Sequence, residues 1–92
     1  MPLDQQVNFK TLLCKNRRFG VPRIIRGQFK LEPTQILRIT ITLADAISEK
    51  ESFFSKMRKD GHITIPPIAI AALKKYSEII ENQPIEVIVE PA

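Results

Sequence analysis

The chain writes one passage twice. "RRFGVPRIIRGQFK" (17–30) and "GHITIPPIAIAALKK" (61–75) each hold a short apolar run, a proline, and then about two helical turns. Pro22 and Pro66 stand 66 − 22 = 44 apart, and the same step carries Phe9 to Phe53, Lys15 to Lys59, Phe19 to Ile63, Val21 to Ile65 and Phe29 to Leu73. Leu37, Ile39 and Ile41 answer Ile85, Val87 and Val89 at the longer step 85 − 37 = 48, so the second copy has a longer loop within "KKYSEIIENQP". A common order with one interruption, falling in a loop, reads as an internal duplication. The expected repeats are 7–43 and 53–90, joined by a linker at 44–52.

Each copy reads as strand, turn, strand, short helix, strand. In "VNFKTLLCK", Val7, Phe9, Thr11 and Leu13 share one face, with Asn8 and Lys10 on the other. "KNRR" turns into the short strand "FGVP", which Pro22 ends because proline has no amide proton for a ladder. The spacing predicts a helix over "RIIRGQF", with Ile25 and Phe29 on one face; Gly27 weakens it by about 1 kcal/mol relative to alanine. "ILRITITL" alternates Leu37, Ile39, Ile41 and Leu43 against Arg38, Thr40 and Thr42. In the second copy "FFSKMR" leads into "KDGH", where Asp-Gly signals a hairpin, and then into the short strand "ITI". Pro67 suits a helix first turn, Ile68, Ala72 and Tyr76 are expected along one side, and Lys74 and Lys75 favour the helix C-terminus. "IEVIVE" closes the copy, with Ile85, Val87 and Val89 inward.

Three strands per copy leave an apolar face and unpaired edges, so half the chain cannot stand alone. Two halves remove both problems by closing on each other. The expected fold is therefore mainly β: a six-stranded, pseudo-two-fold closed barrel built from two ββαβ-like repeats with one short helix each.

The residues resemble a known group. "NRRFGVPRIIRGQFKLEPTQILRITI" resembles the swapped-hairpin DNA-binding domain of AbrB-type regulators, whose half-barrel reads turn, R-x-x-x-P, short helix, L-x-P-x-x-x-L and a final strand. "KDGHITIPPIAIAAL" resembles the same element again. Those regulators carry one half per subunit. Two halves in one chain are similar to the RIFT-type members of the cradle-loop barrel group, small archaeal barrels among them. The resemblance spans residues 7–43 and 53–90. It implies that basic residues at the positions of Arg18 and Arg26 contact DNA. The second-copy equivalents are His62 and Ile70, which depart from that pattern.

Charge divides the halves. Residues 9–42 hold Lys10, Lys15, Arg17, Arg18, Arg23, Arg26, Lys30 and Arg38 against Glu32 alone, whereas residues 53–90 balance five basic against five acidic side chains. Four arginines between positions 17 and 26 flank one short strand and its proline, and are expected to project from one loop and helix start. Arginine offers a planar fork of donors suited to phosphate oxygens and guanine edges. Arg17, Arg18, Arg23, Arg26, Lys15 and Lys30 are the candidate nucleic-acid-binding residues, with duplex DNA as partner. A solvated basic surface is the competing explanation, and a barrel that binds a protein or a small ligand is the alternative function.

Other chemistry has less support. A chain of 92 residues is one domain, 1–92, large enough for a single core. No apolar stretch approaches the roughly 20 residues of a membrane span, and the start lacks a secretion signal's basic lead and apolar centre. Cys14 cannot form an internal disulfide, and with His62 alone it cannot assemble a metal site. His62 reads first as a turn residue beside Asp-Gly and Cys14 as an inert thiol, while Glu86 and Glu90 read as outward edge charges. Phe53 and Phe54 beside Phe9 offer a surface for stacking bases, though one of the pair is expected in the core. Three glycines form no phosphate cradle, and no serine has a triad partner in view. The expectation is a cytoplasmic monomer that is not an enzyme and carries no cofactor or metal.

Overall fold

Alternation sets the long strands. In the computed structural model, which describes residues 5–14, 17–43, 50–74 and 83–92, the chain runs β1 (Val7–Cys14), β2 (Arg18–Gly20), α1 (Arg23–Gln28), β3 (Leu37–Leu43), β4 (Lys50–Ser55), β5 (His62–Thr64), α2 (Pro67–Lys74) and β6 (Pro84–Pro91). The six strands form one antiparallel sheet in the order β4-β3-β6-β1-β2-β5. Its concave side collects Leu37, Ile39, Ile41 and Leu43 from β3 with Ile85, Val87 and Val89 from β6, all essentially sealed from water. Phe19, Ile63, Ile65 and Leu73 complete that interior, and full burial of each such side chain stabilises by about 1.5–3 kcal/mol.

Thr40 and Thr42, on the opposite side of β3, are buried as well. Thr40 Oγ1 and Ser52 Oγ on the neighbouring strand share a hydrogen bond of 2.9 Å, which satisfies the hydroxyl of the buried threonine.

The registers follow one rule. Adding 44 to a residue of β1 or β2, or 48 to a residue of β3, turns the β1–β6 ladder into the β3–β4 ladder and the β2–β5 and β3–β6 ladders into themselves. The β1–β2 ladder has no such counterpart among the described residues. Val7 opposite Val89 becomes Glu51 opposite Ile41. Phe19 opposite Ile63 and Thr40 opposite Ile88 map onto themselves. The ends of the β2–β5 ribbon obey the same rule: Val21 N–H donates to Gly61 O at 2.8 Å, and Ile65 N–H donates to Arg17 O at 2.7 Å.

The closed barrel expected from the strand count is not formed; the sheet is a curled half-barrel. Among the described residues no ladder joins β4 to β5. What stands there is the tight turn Arg58–Gly61, closed by Gly61 N–H to Arg58 O at 2.9 Å and by Arg58 N–H to His62 O at 2.8 Å. The turn begins soon after β4 ends at Ser55, and β5 runs only three residues before Pro66 and Pro67. Too little extended chain remains on either side to zip the two strands together.

Two further details differ from expectation. β4 begins at Lys50, inside the stretch read as linker 44–52, and stops before Met57 and Arg58. α2 starts at Pro67 as expected, but its buried side carries Ala69, Ile70 and Leu73, while Ile68 is 83% exposed; Tyr76 lies outside the described residues. α1 is short and has no side-chain cap. It ends with Lys30 in the left-handed region at φ 54° and Leu31 N–H bonded to Arg26 O at 3.1 Å, the Schellman arrangement. Leu31 is buried behind it, and Ile25 and Phe29 pack on the core as their spacing predicts.

Candidate functional site

Arg17, Arg18, Arg23 and Arg26 lie along and beside the β2–β5 ribbon. Phe19 and Ile63 point inward from its two strands, so Arg18 and Gly20 of β2 and His62 and Thr64 of β5 point outward. Arg18 stands opposite Thr64, and Gly20 opposite His62. The His62 imidazole lies over Gly20, where a Cβ would be in ordinary contact with it, 3.5 Å from Nε2. Thr11 Oγ1 donates to Gly20 O at 3.0 Å and fastens β2 to β1 from the other side.

The four arginines, expected from one loop and helix start, divide between the two ends of β2: Arg23 and Arg26 stand on α1, and Arg17 and Arg18 lie at the other end. Arg17 sits at the end of the ribbon nearest Ile65 and α2, with its backbone in the left-handed region at φ 58°. Arg23 and Arg26 lie on α1 beyond the other end, and the three-residue β2 separates the two groups by roughly 13 Å of extended chain. Arg17, Arg23 and Lys30 are exposed, whereas Arg18 and Arg26 are half-buried. Lys15 lies outside the described residues. None of the four arginines forms an ion pair among the described residues.

Arg26 is already engaged. Its Nε–H donates to Val21 O at 3.1 Å, and its guanidinium presses on the backbone of Gly61, where a Cβ would come within 2.5 Å of Cζ and Nη1. Arg26 therefore serves first as a clamp between α1 and the Arg58–Gly61 turn.

His62 was read from sequence as a turn residue and as a gap in the basic pattern. Pairing of β2 with β5 instead makes it the neighbour of Arg18. The signal that could have found this was the 44-residue step itself, which carries position 18 to position 62 across a self-paired ribbon. His62 N–H donates to Asp60 Oδ1 at 3.1 Å. The imidazole Nδ1 comes within 3.4 Å of the same oxygen, yet the angle makes no hydrogen bond, so this is a charge contact only. The backbone N–H holds the Asp60 carboxyl below its ordinary 3.8; desolvation opposes this, and the nearby imidazole and Arg58 reinforce it.

Elsewhere the surface offers less. A shallow hollow of about 260 Å³ over β1 and β6 is lined by Asn8, Phe9, Lys10, Glu86, Val87 and Ile88. Its polar groups satisfy one another: Lys10 Nζ lies 3.7 Å from Glu86, and Gln6 Nε2 donates to Asn8 Oδ1 at 3.2 Å. Phe53 is buried and Phe54 is 64% exposed, so the pair offers no joint stacking surface beside Phe9. Cys14 is exposed, and among the described residues no three His, Cys, Asp or Glu side chains gather in a metal-binding group. No helix of the described residues is long and apolar enough to cross a membrane.

Fold and site together define a mainly β protein: a six-stranded antiparallel half-barrel with two short helices and a basic ribbon on its outer side. No protein-family model matches the sequence, and no curated protein does. Among solved structures, the solution structure of PHS018 from Pyrococcus horikoshii is similar, with a TM-score of 0.72 over 99% of this chain and 94% of that one, at 22% sequence identity. At that identity the likeness concerns the fold alone.

Proposed function

We propose that this protein binds nucleic acid, specifically duplex DNA, through the β2–β5 ribbon and α1, as a non-enzymatic cytoplasmic monomer related to AbrB-type regulators. The half-barrel is read as a duplicated, pseudo-two-fold member of the RIFT-type cradle-loop group. The register rule of 44 and 48 residues, which holds for every ladder except β1–β2, supports that ancestry, because ladders that map onto one another or onto themselves are what fusion of two like halves leaves. One observation carries the function: Arg17, Arg18 and Arg23 stand along one ribbon and helix start with no ion pair among the described residues, in a half where eight basic residues face one acid. Such uncompensated arginines favour a polyanion that brings its own negative charge.

The test is fluorescence anisotropy with a labelled duplex between 50 and 200 mM salt. Neutralising about four phosphates should lower affinity about a hundredfold across that range. The triple variant Arg17→Ala, Arg18→Ala, Arg23→Ala should lose most binding while keeping its circular dichroism spectrum. Arg26 is left intact because it clamps the fold. Absence of binding at 50 mM salt, or equal binding by the triple variant, overturns the reading. A protein partner is the competing reading, favoured by Ile24 and Ile68, which are 78% and 83% exposed at matching helix starts. It predicts a partner whose affinity responds to Ile24→Asp and Ile68→Asp and only weakly to salt.

A further inference from the structure

We propose that Arg18 and His62 together form a seat for one phosphate oxyanion on the outer face of the β2–β5 ribbon, with His62 contributing its charge only when protonated. This deepens the nucleic-acid reading and rests on it. The register sets Arg18 opposite Thr64 and His62 opposite Gly20, so the two side chains lie diagonally on one face, their Cβ atoms about 7–8 Å apart. A tetrahedral oxyanion fits between two long donors at that spacing.

Each side chain also holds one inner nitrogen withdrawn from water and without a hydrogen-bond partner: Arg18 Nε and His62 Nδ1. The Asp60 carboxylate, 3.4 Å from Nδ1, lies on that inner side of the imidazole. The other ring nitrogen, Nε2, reaches over Gly20 towards β2, the strand that carries Arg18. A protonated ring therefore presents its Nε2–H on the side of the arginine. The charged groups around His62 are Arg18 from β2, Arg26 from α1 through its contact with Gly61, and Arg58, Lys59 and Asp60 from the turn. Four cations against one carboxylate favour an anion at this place.

The ligand chemistry is a phosphate group, from a nucleic-acid backbone or from free phosphate, and the experiment separates the two. His62 is the only histidine, so its Hε1 resonance reports the site without ambiguity. That resonance is followed during titration with inorganic phosphate and, separately, with a short duplex. Duplex affinity is measured by anisotropy between pH 8 and pH 5.5, which spans the range in which imidazoles take up a proton.

The expected result is that both ligands shift the resonance. Duplex affinity should rise about tenfold at the lower pH, and its salt slope should steepen by about 0.9, one added phosphate contact. His62→Gln should abolish the pH dependence, and Arg18→Ala should abolish the response of His62 to phosphate. Lys56→Ala, on the exposed stretch after β4, should change neither. If duplex binds with equal affinity at both pH values, or His62→Gln keeps the pH dependence, the seat is refuted while the nucleic-acid reading stands. If phosphate moves the resonance but duplex does not bind, the seat holds as a small-anion site and the nucleic-acid reading falls. If neither ligand acts, both fall.

Discussion

Replacing Gly61 with alanine isolates the clamp formed by Arg26. Gly61 adopts φ 84°, in the region that an L side chain enters at a cost of about 1–2 kcal/mol. The added methyl would also lie 2.5 Å from Arg26 Cζ and Nη1 and 2.9 Å from Nε, against the roughly 3.5–4.0 Å of an ordinary contact. The backbone need not yield, because a guanidinium ends a flexible chain. The arginine would swing away and give up its Nε–H bond to Val21 O, a loss of about 1–2 kcal/mol. Gly61→Ala should therefore destabilise by about 2–4 kcal/mol in the parent protein, but by only about 1–2 kcal/mol when Arg26 is already isoleucine, the residue that occupies the equivalent position at Ile70. Urea denaturation followed by circular dichroism on the four proteins of the double-mutant cycle measures the difference. A Gly61→Ala cost that is the same within about 0.5 kcal/mol in both backgrounds would show that the two residues act independently, and the clamp would be refuted.

Two further outcomes follow from the same end-to-end comparison. Arg17 holds the left-handed conformation that Gly61 holds 44 residues later; Arg17→Gly should leave stability unchanged or raise it by up to about 1 kcal/mol, since relief of strain outweighs the added chain entropy, while duplex affinity falls. Affinity that falls in anisotropy while stability holds or rises in urea denaturation confirms this, and a fall in both contradicts it. Asp60 carries a lowered carboxyl pKa, chiefly through the His62 N–H, so its ionised form stabilises the fold above the ordinary 3.8 and that contribution fades as pH drops through the lower folded-state value. The stability gap between the parent and Asp60→Ala should accordingly be constant near neutrality and close in acid; a gap that widens in acid would reverse the sign of the argument.

Much of the architecture was legible because period-two patterning is local. Leu37 to Leu43 and Ile85 to Val89 announce their inward faces in sequence, Asp60-Gly61 announces its turn, and Pro67 announces the start of a helix. What failed depended on choices that local pattern leaves open. "PIAIAALK" has apolar residues at nearly every position, so the faces through Ile68 and Ala72 or through Ala69 and Leu73 are equivalent until β4 packs on one of them. Barrel closure depended on the few residues that the Arg58–Gly61 turn consumes. The site divided in the same way. A cluster of arginines is plain in one dimension, but the detention of Arg26 by Val21 and Gly61 requires a partner 35 residues away. The meeting of Arg18 with His62 likewise exists only after β2 and β5 have paired.

The strand order has a consequence for how the molecule comes into being. β6, the sixth strand in chain order, occupies the middle of the sheet between β3 and β1. Until it emerges from the ribosome, both neighbours keep a bare greasy flank and an open row of peptide groups, so the nascent chain must wait, vulnerable to sticking. Joining Val7 to Val89 closes a separation of 89 − 7 = 82 residues, which belongs to the slow, millisecond-to-second end of small-domain folding. A keystone fitted last locks everything at once: assembly should be abrupt, with few stable halfway forms.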